Sequence, residues 1–84
     1  MGNDANVEAL LLRIVTVLVD KTNEVNVKSV TADTGTIFQV SVAPSDVGKV
    51  IGKNGRMAGA LRVLLSAFGD FQKTRFGLNI ISNS

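Results

Sequence analysis

Eighty-four residues, 45% of them hydrophobic and 19% charged, suffice for one domain with one modest core and are too apolar for a disordered chain. There is no Cys and no His, which excludes disulfides, thiolate chemistry, imidazole bases and the usual zinc sites. The net charge of +2 is unevenly spread: residues 1–42 hold three basic and five acidic groups (net −2), residues 43–84 six basic and two acidic (net +4).

Asn3 or Asp4 is placed to cap a first helix that runs to about Asp20. Val7, Leu10, Leu11, Ile14 and Leu18 fall on one face at helical spacing, and Leu12, Val15 and Val19 form a second ridge beside it. A helix lying on one sheet needs a single ridge. The surplus is covered either by neighbouring helices or by a second subunit. The apolar run from Ala9 to Val19 is interrupted by Arg13, is too short to span a bilayer, and lacks a basic leader and a cleavage site. Met1-Gly2 is not followed by Ser or Thr at position 6, so no myristoylation is expected. A soluble cytoplasmic protein is the expectation.

Thr22-Asn23 breaks the first pattern, and a strand begins at Val25-Asn26-Val27. Its alternation slips at Ser29-Val30, which a bulge would explain. Asp33-Thr34-Gly35 is a turn, and Thr36 to Ala43 a second strand with Phe38, Val40 and Val42 on one face. Pro44 ends that strand, and Ser45 is suited to cap a short helix through Ile51. After the next glycines, Met57, Ala60, Leu61, Leu64 and Phe68 share one helical face with Leu65 at its edge, while Arg56, Gly59, Arg62 and Ser66 share another. Gly69 reads as the glycine just past that helix. Phe76, Leu78 and Ile80 alternate along a last strand, and Ser82-Asn83-Ser84 reads as a short flexible end, like residues 1–3. The order helix, strand, strand, helix, helix, strand predicts an α+β layer over residues 4–81, three helices on one face of a three-stranded sheet.

The chemistry concentrates at Val47-Gly48-Lys49-Val50-Ile51-Gly52-Lys53-Asn54-Gly55-Arg56, and from Lys49 to Arg62 there are four cations and no anion. Gly52 and Gly55 permit unusual backbone angles and close approach of a ligand, and the helix starting at Arg56 aims amide N–H groups and its positive end at the same spot. A bare G-x-x-G is most often an ordinary corner between helices. Here the apolar pair before it, the lysine inside it and the amphipathic helix after it favour a phosphate chain. The spacing of a Walker A loop is absent, since position 47 is Val and Asn54 follows the lysine.

This stretch resembles the signature of KH (K-homology) RNA-binding domains, and the element order is similar to their type II fold. At finer grain Val40 to Arg56 resembles the small bacterial single-KH proteins of the KhpA type, with Val-Ala-Pro, an acidic residue and Gly-Lys-Val-Ile-Gly-Lys-x-Gly-Arg in sequence. The resemblance spans about residues 4–81. It implies single-stranded RNA as ligand, clamped by the G-x-x-G loop over about four backbone nucleotides. It also implies a homodimer or a heterodimer with another KH-containing protein, and a broad RNA chaperone or post-transcriptional role tied to cell growth and division. Gly52 and Gly55 would admit the RNA backbone, Lys53 and Asn54 face phosphate and ribose, and Lys49, Arg56 and Arg62 supply the surrounding field. Val50 and Ile51, with Val40, would floor the bases, or else belong simply to the core.

Position 59, often basic in such proteins, is Gly59, which removes a phosphate contact and costs the helix about 1 kcal/mol against Ala. With no Tyr or Trp, aromatic base stacking is not expected, so binding should be weak and nearly sequence-blind, and a second module should be needed for affinity. Nothing in the basic half pairs two acids for catalysis, so no enzyme and no cofactor is expected. The competing expectation is a KH scaffold that binds protein and no RNA.

Overall fold

A computed structural model of the chain describes residues 3–83. Helix α1 (Asn3–Leu18) leads through a short 3-10 turn (Thr22–Glu24) to the strands β1 (Asn26–Ala32) and β2 (Gly35–Val42). A second 3-10 turn (Pro44–Asp46) opens α2 (Val47–Ile51), a third (Lys53–Gly55) joins it to α3 (Arg56–Gln72), and β3 (Phe76–Ser82) closes the order. The sheet runs β1-β2-β3, with β1 and β2 antiparallel from Asn26↔Ser41 to Ala32↔Gly35 and β2 and β3 parallel from Thr36↔Phe76 to Val42↔Ser82. The three helices cover one face of this mixed sheet, the α+β arrangement expected. Its core joins Val7, Leu11 and Val15 of α1, Phe38, Val40 and Val42 of β2, Val50 of α2, Leu61 and Leu65 of α3, and Leu78 of β3. Phe38 and Phe76 meet edge to face with ring centres 5.2 Å apart, tying the parallel strands on the covered side.

The structure corrects several local expectations. On α1 the buried row is Val7, Leu11 and Val15, continued past the helix by Val19, while Leu10 and Leu12 are exposed. A four-residue step overshoots one turn by about 40°, so this row winds slowly around the helix and follows the twisted sheet. Two of the three residues of the supposed surplus ridge, Val15 and Val19, thus belong to the core, and the third, Leu12, is exposed. No bulge interrupts β1, whose register with β2 is continuous. Val30 instead pairs with Ile37 on the uncovered face of the sheet, and Ser29 on the covered side donates its hydroxyl to the Glu8 carboxylate on α1.

Ser45 does not cap α2. Asp46 occupies that position, and its side chain makes no cap bond there. In α3 Ala58 and Leu65 are buried while Ala60 and Leu64 are exposed, so the inward face is rotated by part of a turn from the expected one. Gly69 lies inside α3, buried, and the helix continues to Gln72. The left-handed residue past its end is Lys73 (φ 58°, ψ 41°), whose N–H bonds to Asp70 O at 3.2 Å while Thr74 N–H bonds to Gly69 O at 2.8 Å. A Cβ on Gly69 would stand 2.4 Å from Thr74 O, so glycine there makes room for the chain folding back over the helix end.

The expected flexible ends shrink as well. Ser82 pairs with Val42, and Asn83 is held by its N–H to Val42 O at 2.8 Å and its Nδ2 to Glu24 O at 2.6 Å. Asn3 belongs to α1, whereas Met1, Gly2 and Ser84 lie outside the described residues.

Candidate nucleic-acid interface

The turn between α2 and α3 is built from three residues with positive φ. Gly52 (φ 82°, ψ 169°) leaves α2, Asn54 (φ 57°, ψ 25°) bends the chain and Gly55 (φ 73°, ψ 14°) enters α3. The two glycines are needed for different reasons. A Cβ on Gly52 would press to 2.7 Å from Met57 Cβ and 2.9 Å from Met57 N, so the turn is folded tightly against the start of α3. A Cβ on Gly55 would meet nothing within 4 Å, so that side of the turn is open. Asn54 tolerates the left-handed region better than most side chains. Gly52 N–H bonds to Gly48 O at 2.9 Å and Gly55 N–H to Gly52 O at 3.0 Å, and Arg56 N–H bonds to Lys53 O. The N–H groups of Lys53 and Asn54 take no part in these bonds, and both side chains are exposed.

Helix α3 starts at this turn with no side-chain cap, so its positive end and the exposed Arg56 adjoin the open side of Gly55. Gly52, Lys53, Asn54, Gly55 and Arg56 therefore form one continuous surface. Arg62 lies farther along α3, where its guanidinium donates to Leu78 O at 3.4 Å on the edge strand β3. It bridges α3 to β3 about two turns beyond the loop. Gly59 has open space at its Cβ position, so the helix surface between Arg56 and Arg62 is bare.

The remaining expected residues divide. Val50 is fully buried and Val40 likewise, which places both in the core and not under a ligand. Ile51 is exposed beside Gly52 and is left as the apolar contribution next to the turn. Lys49 is held by carboxylates outside the loop. Its ammonium lies 2.9 Å from Asp20 Oδ2 and 3.0 Å from Asp46 Oδ1, the two ion pairs among the described residues. The two carboxylates raise the Lys49 pKa above its ordinary value, Asp20 contributing most.

Asp46 entered the sequence reading only as the acidic residue of the signature, with no role of its own. It is fully buried, and its carboxylate accepts N–H bonds from Asp20 at 3.2 Å and Lys21 at 3.0 Å, just past the end of α1. The Lys21 N–H, ahead of the Lys49 and Asp20 donors, keeps its pKa below the ordinary value despite burial. Asp46 thereby ties the exit of α1 to the entry of α2 and fixes the platform that carries the loop. A lone acid opening the basic half was the available signal.

A mixed three-stranded sheet covered on one face by helices, with a G-x-x-G turn between two consecutive helices, is a KH domain of type II. Residues 8–80 match the KH domain of KhpA and KhpB, and the chain belongs to that family. It is 49% identical over 74 residues to the "RNA-binding protein KhpA" of Treponema pallidum (strain Nichols), covering 88% of this chain and 92% of that protein. To the protein of the same name from Clostridium acetobutylicum it is 43% identical over 72 residues, covering 86% and 96% of the two chains. To that of Listeria monocytogenes serovar 1/2a the identity is 40% over 74 residues, with 88% and 97% covered. The family is a non-enzymatic one.

Proposed function

We propose that the chain binds single-stranded RNA through the Gly52–Gly55 turn, with little sequence preference, and serves in the cytoplasm as a small RNA chaperone or post-transcriptional regulator linked to growth and division. The observation that carries this reading is the turn itself: positive φ at Gly52, Asn54 and Gly55, an open side at Gly55, and Lys53, Arg56 and the start of α3 converging there. The relatives named as RNA-binding proteins support it. Among the described residues no helix is long and apolar enough to cross a membrane. Gly52 and Gly55 admit the sugar-phosphate backbone, Lys53 and Asn54 offer side chains and free N–H groups to phosphate, and Arg56 and Arg62 extend the field along α3. Lys49 supports the site through Asp46 and not by direct contact. No aromatic ring stands at the turn, so recognition is of backbone and charge, and affinity falls with salt along a shallow slope set by a few phosphates.

A second copy of the chain supplies the affinity that one such site lacks. Val15 and Val19 are buried within the chain, the first of the two readings of the surplus ridge, so the exposed stripe Ala60, Leu64, Ala67 and Phe71 on α3, flanked by Val63, takes the interface role. Phe71 is 89% exposed. An antiparallel α3 from another protomer sets Phe71 against Ala60 and Leu64 against Ala67, large against small. This stripe is also the specific observation behind the rival reading, in which the domain associates with protein alone.

Replacing Lys53 and Asn54 together by Asp separates the two. Two carboxylates would repel phosphate where Lys53 attracts it, and Asp tolerates the conformation of Asn54. The expected result, read by fluorescence polarisation of a short single-stranded RNA, is loss of binding with an unchanged melting curve and an unchanged sedimentation coefficient. Equal RNA binding by parent and variant would remove the turn as the site. Sedimentation of the parent as a monomer at micromolar concentration would remove the α3 pairing.

A further inference from the structure

From the Asp20–Lys49–Asp46 ion pairs we infer that Asp20 limits RNA affinity: it holds back the Lys49 ammonium, a cation one helical turn behind the glycine turn, from the phosphates. This rests on the RNA reading given above and names a residue that tunes the same site.

The two carboxylates on Lys49 are not equivalent. Asp46 is fully buried and fixed by two main-chain N–H donors, so its charge belongs to the fold and needs the cation beside it. Among the described residues the Asp20 side chain binds only Lys49, and it is 81% exposed. Its backbone N–H is itself held by Asp46, which sets the Asp20 carboxylate 2.9 Å from Lys49 Nζ. The lysine side chain is 44% exposed, so a phosphate can reach it once the competing carboxylate is gone. Lys49 lies three residues before Gly52 in α2, about 4.5 Å along the helix axis. Lys53, Arg56 and Lys49 carry three positive charges and Asp46 and Asp20 two negative ones, a sum of +1 around the turn. Without the Asp20 charge the sum is +2, and Lys49 keeps only the buried partner that it must balance.

An exposed ion pair is weak, so its competition is modest and measurable. Asp20→Asn preserves the shape and the main-chain bond while removing the charge. In polarisation titrations of a fluorescein-labelled single-stranded oligouridylate, the variant is expected to bind about two- to fivefold tighter than the parent. Its slope of log affinity against log salt should be steeper by about 0.7, one further phosphate contact on a single strand. Adding Lys49→Gln to Asp20→Asn should cancel both changes, with melting curves identifying any variant that does not fold.

A purely structural Asp20 would leave the salt slope where it was. Equal affinity and slope in Asp20→Asn and the parent would overturn the inference, as would a gain that survives Lys49→Gln, since the effect would then be general charge and not the held lysine. A parent that binds no oligouridylate at any salt would overturn the RNA reading and this inference with it.

Discussion

The two ends of α3 use the same backbone conformation for opposite purposes. At its start Gly55 enters the helix with φ 73° and nothing within 4 Å of where a Cβ would stand; past its end Lys73 takes φ 58°. Behind Lys73 the glycine is Gly69, and its missing side chain is filled by Thr74 O, 2.4 Å from the Cβ position. One end spends its left-handed turn on access, leaving bare surface beside Lys53 and Arg56. The other spends it on closure, turning the chain so that Thr36 N–H reaches Arg75 O at 2.8 Å and β3 can join the sheet. A glycine's role is therefore read from what would meet its Cβ, and not from its presence in a turn.

Substitutions at the two ends break this contrast in graded ways. The largest effect is expected for Gly69→Ala: although Ala favours helix, its Cβ collides with main chain that cannot swing aside. A loss of about 2 kcal/mol is expected, lowering the melting temperature by about 10 °C, while RNA affinity of the folded protein stays the same. A melting temperature equal to the parent's would mean that the chain end yields freely. Gly55→Ala should be milder for stability, about 1 kcal/mol of left-handed strain, but should weaken RNA binding, because the new methyl stands on the open side. If calorimetry and polarisation show stability and binding falling in the reverse proportion, the division into an access end and a closure end fails. The smallest change is Lys73→Gly, expected to raise stability by no more than about 1 kcal/mol by relieving the left-handed lysine, with binding unaltered. A fall in melting temperature would show that Lys73 makes a contact worth more than its strain.

Most of the architecture was legible in the chain, and the reasons for the misreadings are local. Alternation along Thr36 to Val42 and the turn at Asp33-Thr34 specify the hairpin, and Gly52 to Arg56 announces the helix–turn–helix, because glycine spacing and strand period are properties of the chain itself. Which leucines point inward was not legible. Leu10, Leu11 and Leu12 are equally apolar, as are Leu64 and Leu65, and only the sheet beneath decides between neighbours. The slip at Ser29-Val30 looked like a bulge because a serine on the covered face breaks the pattern; its Glu8 partner lies 21 positions away.

At the candidate site, Gly52, Lys53, Asn54, Gly55 and Arg56 were named from sequence and lie together. Lys49 was counted among the open cations because adjacency along the chain says nothing of Asp20, 29 positions earlier, whose carboxylate meets it. The role of Asp46 went unread for the same reason, since both of its main-chain donors come from the residues just past α1.

The mixed sheet also orders events in time. Ala32 faces Gly35 across a turn of two residues, but Thr36 pairs with Phe76, forty positions on, and the span between them contains α2, the glycine turn and α3. A hairpin closes in about 1–10 μs, whereas a parallel pairing over so long an excursion must first bear the entropy of closing it. The β1–β2 hairpin is thus expected to form early and β3 to dock late, drawing α3 onto the sheet and only then holding the turn and Arg62 in their final relation. Pulse-labelled hydrogen exchange during refolding should protect the β1 and β2 amides before those of β3, and simultaneous protection would remove that order. The fixed relation of the glycine turn to Arg62 is in this sense the last thing the chain acquires as it folds.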